Sequence, residues 1–185
     1  IIKFKYVGGS KTSRALFEAA ARAWLTHANI NMRGVASSGV ADVRVGFDRA
    51  LGSWSYLGTD ALLVRSDAAT INLGWDDLAT ALHEVGHMLG FIHEHSNPDA
   101  NIPWNKEAVY RFYAGPPNYW SRATVNAQVF ATYDQKLITN GGFDPHSIML
   151  YPIPAEHLTD PSRAVGFNRV LSAGDVALAR SLYPE

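Results

Sequence analysis

Cysteine is missing from all 185 residues. Its absence excludes disulfide cross-links, thiolate metal sites and thiol nucleophiles together. Long apolar runs are missing too. None approaches the roughly 18 residues that a membrane-spanning helix needs, so no span is expected. Nor is there an excess of one charge: sixteen Lys and Arg stand against seventeen Asp and Glu, a formal net charge of −1. That leaves no basic field for a phosphate backbone, and nucleic acid drops out of the expected partners. Internal repeats, low-complexity tracts and charge blocks are also absent. The opening Ile1-Ile2-Lys3-Phe4 has no signal-peptide pattern, so any targeting segment is expected to have been removed or never present.

What remains is an ordinary globular composition, 47% hydrophobic and 18% charged, which excludes disorder and supplies a core for one domain. Residues 2–7 alternate apolar and basic side chains, predicting a half-buried strand stopped by Gly8-Gly9. An Ala-rich stretch over 13–28 places Phe17, Ala20, Trp24 and Ala28 at helical spacing, predicting a long amphipathic helix. Val43, Val45 and Phe47 fall on one side of a second strand, and 54–57 and 69–73 are shorter strand candidates. After Gly74-Trp75 a second helix is predicted, with Asp76 as N-cap and Leu78, Leu82, Val85 and Leu89 as its buried stripe.

Beyond Gly90 the pattern loosens. Asn105 predicts a capped helix over 106–113, ended by Gly115-Pro116-Pro117, and an irregular region follows to Pro161. Ser172 and Asp175 make an S-x-x-D capping arrangement for a last helix, with Leu171 and Val176 at the staple positions. The pattern predicts one α+β domain over 1–185. Its N-terminal part, 1–90, holds a twisted mixed sheet with helices; its C-terminal part, 91–185, is irregular and ends in a helix.

Seven histidines stand at 27, 83, 87, 93, 95, 146 and 157, four of them within thirteen residues. Residues 83–93 read His-Glu-Val-Gly-His-Met-Leu-Gly-Phe-Ile-His. Positions i and i+4 share a helix face, with side chains about 5–6 Å apart, so His83 and His87 can converge on one ion. A third ligand cannot come from the next helical turn; Gly90 is expected to end the helix in a left-handed conformation and swing His93 to the metal. Three neutral imidazoles leave one tetrahedral position for water, as in a catalytic zinc site. Glu84 follows the first ligand and projects beside the metal, where its carboxylate can act as general base. His95 has no geometric case as a ligand, His27 reads as a surface residue, and His146 and His157 offer only proximity to a second motif. That motif is Ser147-Ile148-Met149-Leu150-Tyr151.

The extended zinc motif, H-E-x-x-H-x-x-G-x-x-H, is that of the metzincins. Its continuation through Phe91 and His93-Glu94, together with S-x-M-x-Y at 147–151, resembles the astacins, a metzincin branch. Residues 53–58 and 171–183 resemble the family's Trp-Ser-Tyr strand and last helix. The resemblance implies a metzincin-type zinc protease domain with an active-site cleft between the two parts. It implies His83, His87 and His93 as ligands of one catalytic Zn2+, Glu84 as general base and Tyr151 as a switching tyrosine that stabilises the tetrahedral intermediate. Met149 would form the apolar base under the metal, and 54–57 the edge strand that pairs with an extended peptide. The missing cysteines mark a divergent, microbial relative. The expected protein is thus a secreted, monomeric zinc endopeptidase acting on protein or peptide substrates. The alternatives are an inactive zinc-bearing adhesion or binding module and a narrow-specificity peptidase of another metzincin branch.

Overall fold

The alternating segment at the N-terminus becomes the second strand of a five-stranded sheet in the computed structural model, which describes residues 1–116, 118–139 and 141–184. Strand β1 (Ile2–Val7) pairs in parallel with β2 (Met32–Gly34) on one side and β3 (Val43–Gly46) on the other. β5 (Ile71–Asn72) continues the parallel set beside β3, and β4 (Trp54–Ser55) closes the edge antiparallel to β5. The order β2-β1-β3-β5-β4 is the mixed sheet expected of this α+β domain. β2 has no counterpart in the sequence reading, because three residues are too few to display a period.

All four residues of β3 are buried, so the one-sided alternation read there is incomplete. Arg44 explains how a charged residue can point into the covered face. Its guanidinium donates to the carbonyls of Ala68, Ala61 and Val64, and its own strand end supplies Ala41 and Asp42. A buried cation so fully hydrogen-bonded ties the 61–68 loop to the sheet.

Helix α1 (Lys11–Leu25) starts two residues before the predicted 13 because Ser10 caps it, accepting from the Ser13 amide. It buries Phe17, Ala20 and Trp24, as the spacing requires. Helix α2 (Leu78–Met88) is capped by Asp77 rather than Asp76: Asp77 has the extended backbone of a cap, and its carboxylate accepts from the Thr80 amide and hydroxyl. Leu78, at 45% exposure, leaves the predicted stripe, whereas Leu82, Val85 and Leu89 stay buried. The indole of Trp24 donates to the Leu82 carbonyl at 2.9 Å, fixing α1 against α2.

The chain divides into two compact units, Ile1–Ile92 with Arg169–Glu185, and His93–Asn168. The last helix, α5 (Ala173–Leu182), therefore groups with the N-terminal sheet rather than with the irregular part to which its sequence position assigned it. Ser172 and Asp175 form the predicted reciprocal capping box, and the Tyr183 hydroxyl donates to the Leu89 carbonyl at the end of α2.

The second unit has little regular structure. Asn105 caps α3 (Lys106–Ala114) as expected; of the residues predicted to end that helix, Pro117 lies outside the described residues. α4 (Arg122–Val125) runs into a π-turn over Asn126–Phe130. One apolar cluster gathers Val109, Val125 and Val129 under aromatic rings. Another gathers Leu150, Ile153 and Leu158, with Trp104 packed against both. Among the described residues, no helix is long and apolar enough to cross a membrane.

Candidate metal centre

Helix α2 places His83 and His87 one turn apart, their rings edge to face with centroids 4.7 Å from each other. Its end has the geometry that the sequence demanded of Gly90. Gly90 sits at φ 94°, its amide donates to the His87 carbonyl, and the Phe91 amide donates to the Gly86 carbonyl. This is a Schellman termination, in which a left-handed glycine satisfies the last helix carbonyls. The chain then leaves the helix axis within three residues and delivers His93.

The ring nitrogens of His83, His87 and His93 lie within 4.8 Å of one another, close enough for one metal ion. The tautomer of His87 fits that use. Its Nδ1 is 2.7 Å from the Phe91 carbonyl, which can only accept, so Nδ1 carries the proton and Nε2 presents a lone pair. That Nε2 lies 3.1 Å from Nε2 of His83. Ring nitrogens this close suit a shared cation once neither carries a proton, and three imidazoles are a donor set that zinc favours.

Glu84 is 4% exposed, on the same helix as the first two imidazoles. Burial pushes its carboxyl up to about 8; a cation held by the neighbouring rings acts in the opposite direction, favouring the carboxylate.

The second motif forms a tight turn. Ser147 donates its amide to the Asp144 carbonyl, its hydroxyl accepts from the Met149 amide, and its carbonyl accepts from Leu150. Asn168 clamps the same turn by donating to the carbonyls of Pro145 and Ser147. Met149 is buried at 1% exposure, while Tyr151 is 48% exposed. Tyr151 thus stands outside the apolar core that Met149 joins. The Tyr151 ring lies 4.8 Å from that of His93, and the Glu94 amide donates to the Met149 carbonyl, lacing the third-histidine loop to this turn. Glu94 adds two more ties, its Oε1 accepting from the Asp144 amide and from Asn97.

His95 is buried, with its ring stacked 5.0 Å from His93 and Nε2 donating to the Gln128 carbonyl. It thus braces the ring of the third histidine from behind. His27 is half-buried, and His157 is buried against Phe112. Sequence reasoning did not find Asn97, Asp144 or Asn168, whose contribution is hydrogen bonding between segments far apart in the chain. No local pattern announces such bonds, although the Asn and Asp richness of 97–105 and 134–144 was visible.

The model of the astacin peptidase family matches residues 1–183. The chain belongs to the astacin family. This astacin domain is 27% identical over 192 residues to human Tolloid-like protein 1, the alignment covering 96% of the chain and 18% of the relative. The chain thus spans about a fifth of the length of such curated relatives. A solved structure of myroilysin superposes with a TM-score of 0.94 at 41% identity, covering 100% of this chain and 92% of that one. High choriolytic enzyme 1, a hatching-enzyme zinc-protease from Oryzias latipes, gives 0.65 at 23% identity over 98% and 88% of the two chains, a likeness of fold. Membership in a family of zinc metalloproteases and the His83, His87 and His93 cluster agree on the metal.

Proposed function

We propose that this astacin domain is a zinc endopeptidase that cleaves extended protein or peptide substrates with Glu84 as general base. The observation that carries this reading is the convergence of three imidazole nitrogens within 4.8 Å, with a buried carboxyl next in sequence to the first of them. His83, His87 and His93 would hold one zinc. When bound, the ion supplies Lewis-acid activation of water and of the peptide carbonyl. Glu84 takes the proton of the attacking water and returns it to the departing amine. The Tyr151 hydroxyl donates a hydrogen bond to the carbonyl oxygen as negative charge develops there. Its half-exposed position beside the His93 ring leaves it room to move. β4 at the sheet edge offers backbone groups to an extended peptide. The domain acts as a monomer, and it acts outside the cell, a setting that the toxin relative from Loxosceles laeta supports.

Digestion of casein by the purified, zinc-loaded protein tests the activity. Cleavage should stop on chelation and return with zinc, at one zinc per chain. His95→Ala should keep that stoichiometry and His93→Ala should lose it. Full zinc with no proteolysis on any protein substrate would instead favour an inactive binding module.

A further inference from the structure

A concavity of about 200 Å3 lies wholly within the His93–Asn168 unit. It is smaller than the roughly 300–1,000 Å3 of sites that enclose a drug-sized ligand. It exceeds the cavity of about 150 Å3 that admits a benzene ring. One aromatic side chain is therefore the size of guest it fits.

Its walls are aromatic and aliphatic. Trp104, Tyr113 and Trp120 line it together with Val129 and Ile153. Tyr113 and Trp120 stack on each other with centroids 4.8 Å apart and planes 8° from parallel. Trp104 is packed against both apolar clusters of the unit. Walls braced in this way need little rearrangement to receive a guest, which lowers the cost of binding. Among the described residues lining the concavity there is no Asp, Glu, Lys or Arg. His157 belongs to the wall as well, and burial lowers its pKa, keeping the ring neutral at neutral pH. A charged guest would find no counter-ion there and would lose its hydration.

The position links this concavity to the chemistry. His93 and Tyr151 both line it, so it borders the third histidine of the metal cluster and the proposed oxyanion donor. We propose that this concavity is a specificity pocket that receives an uncharged aromatic side chain, Phe or Tyr, flanking the scissile bond. The inference rests on the peptidase reading above and adds the substrate class to it.

Gln128 provides the test. Gln128 lines the concavity and is an exposed residue, so Gln128→Arg brings a cation to its rim with little disturbance of packing. The carbonyl that accepts from His95 belongs to the backbone and is kept. A peptide library digested by the zinc-loaded protein, with every cut located by mass spectrometry, should show Phe and Tyr enriched over Ala and Asp at one position next to the cut. Loss of a single methylene in an apolar pocket already costs about 10- to 200-fold in kcat/KM, so the enrichment should reach at least tenfold. Gln128→Arg should lower cleavage at Phe sites and raise cleavage at Asp and Glu at that same position. Chelator-sensitive cutting with flanks indifferent to aromatic residues, or a Gln128→Arg profile identical to wild type, would overturn the pocket and leave the peptidase reading standing. No chelator-sensitive cutting at all would overturn both.

Discussion

Residues 1–92 and residues 93–168 are built on different principles. The first stretch holds its shape with ladders and helices: five strands, two long helices, and an indole bond from Trp24 that joins the helices. The second holds its shape with side chains bonded to backbone: Glu94 to the Asp144 amide, Asn97 to the Gly142 carbonyl, Asn168 to Pro145 and Ser147. In the first, each functional side chain inherits its position from a periodic element. In the second, Tyr151 depends on a turn whose clamps come from tens of residues away. The residues of the proposed site are thus divided between a regular scaffold that carries His83, Glu84 and His87 and an irregular one that carries His93 and Tyr151.

The sharpest way to separate the two contributions is to remove the proposed base. Glu84→Ala should retain zinc and fold, because the helix is capped by Asp77 and ended by Gly90 independently of that carboxyl. It should nonetheless lose about 10²- to 10⁴-fold in kcat. Zinc analysis beside steady-state kinetics checks this, with KM little changed. Turnover near wild type at full zinc occupancy would refute the role assigned to the regular unit.

Tyr151→Phe asks the same of the irregular unit. It keeps the ring beside His93 and removes one donor, so kcat should fall about 10²- to 10³-fold with zinc content and melting temperature unchanged. An unaltered kcat would reduce the contribution of that unit to the third ligand alone.

Asn168→Ala tests whether side-chain clamps hold the irregular unit. Two carbonyls, those of Pro145 and Ser147, lose their donor. Stability should drop by roughly 1–2 kcal/mol in urea unfolding. No measurable change would mean that the turn is held by its own backbone bonds.

The smallest effect concerns pH. Burial lowers the pKa of His157, with Glu156 opposing more weakly. Below the unfolded value of about 6.5 the unfolded chain binds the proton first. His157 therefore contributes its stability in full above that pH, and the contribution is lost as pH falls through about 6.5 toward the lowered folded value. His157→Phe, which preserves a ring against Phe112, should flatten the stability–pH curve in that window. The same slope in variant and wild type would place the acid sensitivity elsewhere.

The regular half was largely legible. The strand over 2–7, the Phe17-Ala20-Trp24 face of α1, and the Asn105 and Ser172 caps all follow from periods and local hydrogen bonding that the sequence displays. The errors were local as well. Asp76 and Asp77 compete for one cap, and only the backbone angles of the folded chain choose between them. β2 escapes the pattern because three residues carry no period, and α5, last in the chain, groups with the first unit.

By itself the sequence determined the cluster of three imidazoles and the neighbouring carboxyl, because helical pitch and a left-handed glycine convert the spacing of 83, 84, 87, 90 and 93 directly into geometry. Only the tertiary structure decided that Tyr151 stands half-exposed beside His93, that His95 stacks behind it, and that Trp104, Tyr113 and Trp120 wall one concavity. Those residues are spread along the chain with no shared element between them. Their meeting depends on long-range packing and side-chain bonds to distant backbone, which leave no period in the chain to read.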